Sequence, residues 1–197
     1  MDQVFAPWRI DWVERGGNDD VDGCVFCALA GGDDRATDGA FADGATDTGD
    51  RDRLVVARSP HSYVMLNNYP YNPGHAMVVP RRHGGEPTDP GDLTDEELLD
   101  HAKLKSATFR AMRAAFDPDG FNAGLNLGRG AGGSVKGHLH THVVPRWQSD
   151  TNFMPVLDDT KVIVQALEES YDELRSAFAE QEEASVSGED DAVEIEF

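Results

Sequence analysis

Three histidines, His138, His140 and His142, alternate with Leu139 and Thr141 near the end of the central part of the chain. Alternate side chains of a β-strand lie on the same face, so we expect the three imidazoles to share one face while the residues between them face the core. Imidazoles held together on one face need hydrogen-bonding partners when they are buried. The pattern therefore indicates chemistry rather than a chance run of surface histidines.

Two kinds of chemistry fit the three histidines. Imidazole is the commonest metal ligand at neutral pH, so the three rings could bind a metal ion. Alternatively, the central imidazole of His140 is a nucleophile toward phosphorus, provided that its other ring nitrogen donates to a fixed acceptor. The flanking imidazoles would then bind phosphate oxygens or assist the leaving group.

The glycine-rich segment before the histidines favours the phosphate interpretation. It contains Asn126, Gly133 and Ser134. Glycines allow several backbone N–H groups to converge on an anion, and the Ser134 hydroxyl adds a further donor. Arg129 and Arg146 could supply positive charge to a bound phosphate. Phosphoryl chemistry is therefore favoured over a metal centre built from all three histidines.

The only two cysteines form a second candidate site. Cys24 and Cys27 are spaced as Cys-x-x-Cys. This spacing is typical of a metal-binding or redox pair rather than of a disulfide framework. The alternative is a pair of buried free thiols.

The pattern of apolar residues predicts the elements that must position these residues. A capping box of Thr94 and Glu97 begins a helix that runs to about Phe116, and residues around 160–181 suit a C-terminal helix. Strands are predicted at residues 54–60, 62–68, 75–83, 121–128 and 138–147. Strands, one long helix and then further strands favour an α+β fold with an antiparallel sheet.

Composition divides the chain into three parts. Residues 1–23 are predicted to be an N-terminal arm, and residues 24–181 a catalytic domain. Within that domain, residues 31–52 are rich in Gly and Asp and are expected to form a flexible acidic loop. Residues 182–197 are expected to be an acidic disordered tail.

Two motifs resemble the histidine-triad (HIT) family over about residues 24–147, namely HLHTHVV and LNNYPYNPGHAMVVPRRH. The segments HVVPRW and DTNFMPV are similar to the branch that contains diadenosine tetraphosphate phosphorylases. The resemblance implies a HIT-like antiparallel sheet with one long helix and a C-terminal helix. It also implies an enzyme that cleaves a dinucleoside polyphosphate through a nucleotidyl-histidine intermediate.

The resemblance also bears on the acceptor of the nucleotide. Many HIT hydrolases carry a glutamine before the histidines, where this chain has Gly133 and Ser134, which favours phosphate over water as the acceptor. Two alternatives remain: a hydrolase of nucleotides or nucleoside phosphoramidates from the same superfamily, and a nucleotide-binding sensor without catalysis.

The resemblance assigns roles to individual residues. His140 would attack the α-phosphorus, and His142 would contact the phosphates and assist the leaving group. Asn67 would bind the ribose hydroxyls, with Met65, Leu66 and Asn68 near the nucleoside. The phosphate site would be lined by Asn126, Gly133 and Ser134. His75, in Pro-Gly-His, resembles a structural position of the family and is given no catalytic role.

Some HIT proteins bind zinc, and the corresponding ligands here would be Cys24, Cys27, His83 and His138. Two cysteines and two histidines suit a closed, tetrahedral, structural zinc site. The resemblance further implies a homodimer in which two sheets join. No organic cofactor is expected, and Mg²⁺ is expected only as a companion of the substrate.

Charge and hydropathy limit the possible partners and location. Asp and Glu number 37 against 17 Lys and Arg, which gives a formal net charge of −20 and disfavours a nucleic-acid partner. No apolar run approaches the roughly 18 residues of a membrane span. We therefore predict a cytoplasmic protein that binds neither nucleic acid nor membrane.

The acidic residues are scattered rather than gathered at one site, which is typical of adaptation to high cytosolic salt. Salt screens the repulsion among carboxylates, so such a halophilic protein should lose its fold when ionic strength is lowered. We expect far-ultraviolet circular dichroism to record a loss of secondary structure on dialysis into dilute buffer. Full retention of the spectrum there would contradict the hypothesis.

Overall fold

The computed structural model describes residues 24–30, 49–83, 89–131, 137–148, 150 and 166–197. The predicted arm, most of the predicted acidic loop, and the candidate phosphate-site residues Gly133 and Ser134 lie outside the described residues. Their predictions are therefore not tested by the structure.

A single sheet of seven strands forms the centre of the described part. In sequence order the strands are β1 (Val55–Arg58), β2 (Ser62–Leu66), β3 (Ala76–Pro80), β4 (Gly120–Leu125), β5 (Thr141–Arg146), β6 (Ala184–Ser185) and β7 (Val193–Ile195). Their spatial order is β4-β5-β3-β2-β1-β7-β6. Only β1 and β7 pair in parallel, and the remaining neighbours are antiparallel.

In the part of the chain that the structure describes, three α-helices accompany the sheet: α1 (Val25–Leu29), α2 (Asp95–Phe116) and α3 (Leu167–Ala179). The capping box that begins α2 is present, because the Glu97 N–H donates to the Thr94 hydroxyl and the Thr94 N–H donates to the Glu97 carboxylate. The predicted long helix is therefore confirmed, as is the α+β class. None of the helices in the described ranges is long and apolar enough to cross a membrane.

The two faces of the sheet are covered differently. Helices α2 and α3 pack on one face, which we call the helix face, and α1 packs on the other, which we call the α1 face. Side chains of the central strands alternate between the faces, as the period of a strand requires. Strand residues on the helix face include Val56, Val64, Leu66, Ala76, Val78 and Val143, and those on the α1 face include Val55, Tyr63, Met65, Met77 and Val79.

A tight turn joins β2 to β3. The His75 N–H donates to the Asn72 carbonyl oxygen at 3.1 Å, with Pro73 and Gly74 between them. Gly74 has a φ of +71°, as a type II turn requires at its third position. A Cβ atom at Gly74 would also collide with the ring of Phe116 on α2. Both the backbone conformation and the packing therefore require glycine here.

The prediction of a disordered tail after residue 181 is wrong. Strands β6 and β7 lie within the predicted tail, and β7 adds to the sheet beside β1. Val193 and Ile195 are buried on the helix face, whereas Ala192 is buried on the α1 face. The acidic composition obscured this short apolar alternation, whose burial favours the folded conformation.

The end of the predicted flexible loop is also anchored in the fold. The Asp50 carboxylate accepts hydrogen bonds from the buried Arg58 guanidinium at 2.5 Å and from the Ala192 N–H at 3.0 Å. Although burial opposes it, pairing with Arg58 lowers the pKa of Asp50. Residues 49–52 therefore belong to the described domain rather than to a mobile loop.

Candidate functional site

The three histidines lie at the start of β5 and in the residues just before it. Strand β5 begins at Thr141, so His142 is in the strand while His138 and His140 precede it. This is shorter than the predicted strand over residues 138–147. His142 is the cross-strand partner of Met77, whose side chain is on the α1 face, and Val143 packs on the opposite face.

The aromatic ring of Phe26 on α1 contacts the first two histidines. Ring centroids are 5.6 Å apart for Phe26 and His138, and 5.0 Å apart for Phe26 and His140. The His140 and His142 rings are themselves 4.9 Å apart. The three imidazoles therefore gather on the α1 face, as the alternating pattern predicted.

One hydrogen bond determines the protonation of the central ring. The Nδ1 of His140 lies 2.8 Å from the carbonyl oxygen of His138. A carbonyl oxygen can only accept, so Nδ1 carries the proton and the lone pair of the neutral ring is on Nε2. His140 is 6% exposed and therefore buried, whereas His142 is more exposed.

A chain of hydrogen bonds likewise sets the tautomer of His142. The Tyr71 backbone N–H donates to His75 Nδ1 at 3.1 Å, which leaves the proton of a neutral His75 on Nε2. His75 Nε2 lies 3.0 Å from His142 Nδ1 and therefore donates to it. The proton of a neutral His142 is consequently on Nε2.

Asn126 completes this side of the site. Its amide nitrogen lies 3.5 Å from His142 Nε2. A side-chain amide can rotate to present its oxygen, whereas the Tyr71 N–H can only donate, so the relay through His75 sets the His142 tautomer. Asn126 and His142 are thus neighbours, and their role in binding phosphate stays a prediction.

Asn67 directly follows Leu66, the last residue of β2. Its amide nitrogen is 3.5 Å from the Met77 sulfur, and its amide oxygen accepts a hydrogen bond from the Tyr69 N–H at 2.9 Å. Met77 is the cross-strand partner of His142, so Asn67 is on the same side of the sheet as the site. Of its predicted neighbours, Leu66 packs on the opposite, helix face and cannot line this site.

Arg146 does not supply charge to this site. Its guanidinium donates to Asp150 at 2.5 and 2.8 Å and to Asn122 at 2.5 Å. Arg146 also lies four residues beyond His142 along β5. Its charge is therefore neutralised by a carboxylate away from the imidazoles, and the expectation that it binds phosphate is wrong.

The predicted metal ligands come together. The ligand atoms of Cys24, Cys27, His83 and His138 all lie within 4.8 Å of one another. Individual sulfur–nitrogen distances are 3.3 Å for Cys24–His138, 3.4 Å for Cys27–His83 and 3.6 Å for Cys27–His138. Zinc bonds of about 2.3 Å to sulfur and about 2.0 Å to nitrogen at tetrahedral angles separate the donors by about 3.3–3.8 Å. These three separations lie in the tetrahedral range, and the four residues together could hold a metal ion.

The hydrogen bonds of His138 agree with a ligand role. Its Nε2 donates to the Pro80 carbonyl oxygen at 2.7 Å, which leaves the Nδ1 lone pair facing the two sulfur atoms. Burial lowers the pKa of His138 to about 4, so the ring is neutral at pH 7. Burial, together with the neighbouring Cys24, raises the pKa of the metal-free Cys27 thiol to about 12.

A metal centre made from all three histidines is not supported. His138 faces the cysteines, His140 donates to a backbone carbonyl, and His142 accepts from His75. Within the described part of the chain, the four-residue group is the only set of three or more candidate ligands that could hold a metal ion. The phosphate interpretation of His140 and His142 is therefore favoured.

Helix α1, which carries Phe26 and Cys27 and directly follows Cys24, is held against the sheet by hydrogen bonds to two of its carbonyl groups. Arg58 donates to the Leu29 carbonyl oxygen at 3.0 Å. The Tyr63 hydroxyl donates to the Phe26 carbonyl oxygen at 2.7 Å. The Arg58 donor satisfies a carbonyl group at the end of the helix, and the Tyr63 donor adds a second hydrogen bond to the Phe26 carbonyl, which also accepts the Ala30 N–H at 3.1 Å.

Sequence reasoning missed several residues that touch the histidines. His75 was assigned only a structural role, yet its ring contacts His142, and the Tyr71 ring stacks on it at 4.8 Å. Behind the strand, His101 Nε2 lies 2.9 Å from the Thr141 hydroxyl, and burial lowers the pKa of His101 to about 4. The polar Thr141 between two histidines was the only sequence signal for that second contact.

Comparison with known proteins agrees with this geometry. The HIT domain family matches residues 48–149. An AP-4-A phosphorylase from Mycobacterium tuberculosis is 46% identical over 132 residues, which are 67% of this chain and 66% of that relative, just under two thirds of its length. A bis(5'-adenosyl)-triphosphatase from Saccharomyces cerevisiae is 34% identical over 94 residues, 48% of this chain and 44% of that protein.

A crystal structure of a Zn-bound histidine triad family protein from Mycobacterium smegmatis has a similar fold. It is 27% identical, with a TM-score of 0.57, over 80% of this chain and 94% of that one. The family match covers more than half of the chain and includes all three histidines and His83. The resemblance predicted from the two motifs is thus confirmed, and the chain belongs to the histidine-triad (HIT) domain family.

Proposed function

We propose that this protein cleaves a dinucleoside polyphosphate, such as diadenosine tetraphosphate, by transferring a nucleotide first to His140 and then to inorganic phosphate. The observation that carries the proposal is the tautomer of His140, whose Nδ1–H is held by a backbone carbonyl while Nε2 keeps its lone pair. The similarity to the mycobacterial AP-4-A phosphorylase supports the choice of substrate and acceptor.

In the first step, His140 Nε2 forms a bond to the α-phosphorus, and the bond from that phosphorus to the bridging oxygen breaks. For diadenosine tetraphosphate this leaves AMP on the imidazole and releases ATP. The substituted ring becomes cationic, and its Nδ1–H remains donated to the His138 carbonyl oxygen. Covalent catalysis of this kind divides one difficult displacement into two easier ones.

His142 is suited to stabilise the charge that develops on the phosphates. The relay from Tyr71 and His75 places its ring proton on Nε2, the nitrogen that faces Asn126. A hydrogen bond to the departing polyphosphate strengthens as negative charge grows on that oxygen. The leaving group departs as an anion, so His142 does not have to lose its proton.

In the second step, phosphate attacks the phosphorus, the bond to His140 breaks, and ADP is released. Water in the same position would give AMP. Gly133 and Ser134 are proposed to bind phosphate oxygens together with Asn126, and Asn67 to bind a ribose hydroxyl. Mg²⁺ is proposed to enter with the polyphosphate.

The test is to incubate the protein with diadenosine tetraphosphate, with and without inorganic phosphate, and to separate the nucleotides. We expect ADP and ATP, formed only when phosphate is present. Formation of AMP and ATP would instead make the protein a hydrolase, and binding without any product would make it a sensor.

Replacing His140 by Gln should lower kcat by at least about a thousandfold, because the variant lacks the nucleophile. Titration calorimetry should find that substrate binding persists. The matched control is His61→Gln, since His61 lies between β1 and β2 beside Glu96, away from the triad, and should keep wild-type turnover. A His140→Gln variant with most of its activity would exclude the covalent mechanism.

We also propose that Cys24, Cys27, His83 and His138 bind a structural zinc ion. The fit of the donor distances to a tetrahedron supports this site. Zinc would cross-link α1, the end of β3 and the segment that carries the nucleophile. Thiolate ligands need a reducing compartment, so the cytoplasm is the proposed location.

His83→Asn should reduce bound zinc from one ion per chain to near zero, measured by inductively coupled plasma mass spectrometry. The variant should also melt at a lower temperature, since metal binding contributes to folding. His61→Asn serves as the matched control and should retain the metal. Equal zinc content in the two variants would remove His83 from the ligand set.

The third proposal is a homodimer in which the β4 strands of two copies join their sheets. β4 is an edge strand, paired only with β5 in the described part of the chain, and residues 122–125 are exposed on both of its faces. Such an edge presents unpaired backbone groups to another strand. Leu125 and Leu127, 39% and 45% exposed, add apolar surface at this edge.

Light scattering should give twice the chain mass of 21.5 kDa. Leu125→Lys should shift the protein toward the monomer, because a lysine at an edge opposes strand addition. Val186→Lys is the matched control, as an exposed apolar residue beyond β6 near the opposite edge. A monomeric wild-type protein, or a dimer that only Val186→Lys disrupts, would contradict the proposed interface.

A further inference from the structure

A cluster of three side chains, Asn72, Arg146 and Asp150, connects the end of β5 to the turn before β3. We call this cluster the clamp. The Asp150 carboxylate accepts from Arg146 at 2.5 and 2.8 Å and from the Asn72 amide at 2.8 Å. The backbone N–H of Trp147 also donates to it, at 3.3 Å. One carboxylate thus collects four hydrogen bonds.

Asn72 attaches the turn to β5 and to Asp150, which follows that strand. Its amide nitrogen donates to the Pro145 carbonyl oxygen at 2.9 Å as well as to Asp150, so two acceptors engage its two protons. Asn72 is 3% exposed. The backbone carbonyl oxygen of Asn72 accepts the His75 N–H at 3.1 Å and so closes the turn.

The same turn carries His75, whose ring sets the tautomer of His142. His75 Nε2 donates to His142 Nδ1 at 3.0 Å, and His142 itself lies in β5. Strand β5 therefore holds both ends of this arrangement: His142 directly, and His75 through the clamp. A shift of the turn by about 0.5 Å would take the contact beyond the usual 2.7–3.2 Å of such hydrogen bonds.

We propose that Asp150 is a positioning residue for His142, acting through Asn72 and the turn that carries His75. The inference rests on the proposed function of His142 as the donor to the phosphates. A charged carboxylate is needed at residue 150, because all of its neighbours in the clamp present donors. The hydrogen bond from Arg146 lowers the pKa of Asp150 to about 2, which keeps the group ionised.

The competing explanation is an ion pair that only stabilises the fold. The chain contains a matched pair for this comparison, in which Arg51 donates to Asp172 at 2.5 and 2.9 Å. That pair joins the segment before β1 to α3, on the opposite side of the sheet from the histidines. Asp172→Asn therefore makes the same chemical change to a two-bond arginine pair at a different place.

The experiment compares full-length wild type, Asp150→Asn, Asn72→Ala and Asp172→Asn by ¹⁵N NMR of the imidazoles. The His142 signals are assigned by their loss in His142→Gln. We expect wild type and Asp172→Asn to carry the His142 proton on Nε2 alone. Asp150→Asn and Asn72→Ala should give a mixture of the two tautomers.

The kcat values of these proteins should fall into the same two groups as the NMR results. Asp150→Asn and Asn72→Ala should lower kcat at least about tenfold with KM within about threefold, since the loss concerns a group that acts in the transition state. Asp172→Asn should keep the wild-type kcat. Asn72→Ala leaves the Arg146–Asp150 pair in place, so it separates positioning from ion pairing even where Asp150→Asn fails to fold.

Wild-type His142 signals in both clamp variants would overturn the proposal, as would a folded Asn72→Ala with wild-type kcat. Failure of Asn72→Ala to fold would assign the clamp to stability alone and would overturn it too. If the wild type turns over no dinucleoside polyphosphate, the proposed function fails, while the NMR comparison still decides whether Asp150 positions His142.

Discussion

The hydrogen bond from the His140 Nδ1–H to the His138 carbonyl oxygen is the interaction on which the site depends. It places the lone pair of the central imidazole on the opposite nitrogen, without which the ring could not attack phosphorus. The acceptor is part of the main chain two residues earlier, so its position follows that of His138. His138 is held in turn by the Pro80 carbonyl and by the two cysteines.

The Cys/His group that could hold a metal and the proposed nucleophile, His140, are therefore parts of one arrangement. Helix α1 and the residue before it bring Cys27 and Cys24 to His138. Phe26, which lies between the two cysteines in the sequence, packs against the His140 ring. On the other side, His75 and the clamp hold His142. The two flanking histidines of the triad, His138 and His142, are thus held in place by different parts of the chain.

Much of this could be predicted from the residues. The long helix from Thr94 to Phe116 is confirmed because its capping box and apolar stripe are local features. The placement of the histidines on one face followed from the period of a strand. The prediction that the tail is disordered was wrong because it was based on the acidic composition. Three of the tail's residues, Ala192, Val193 and Ile195, bury enough apolar surface for the tail to join the sheet. Arg146 failed because its type allows phosphate binding but its partner, Asp150, takes the charge.

The sequence by itself determined the fold class and the shared face of the triad, since these depend on the pattern of residue types along the chain, while the resemblance to the family supplied the set of four Cys and His ligands. Only the tertiary structure decided which ring nitrogens of His138 and His142 carry protons, whereas the proton of His140 is set by the main chain two residues earlier. The proton of His138 is set by Pro80, and that of His142 by the relay from Tyr71 through His75. The His138–Pro80 contact joins residues 58 apart in the chain, and the His75–His142 contact joins residues 67 apart. Such contacts arise from the order in which strands lie side by side, and no local pattern encodes that order.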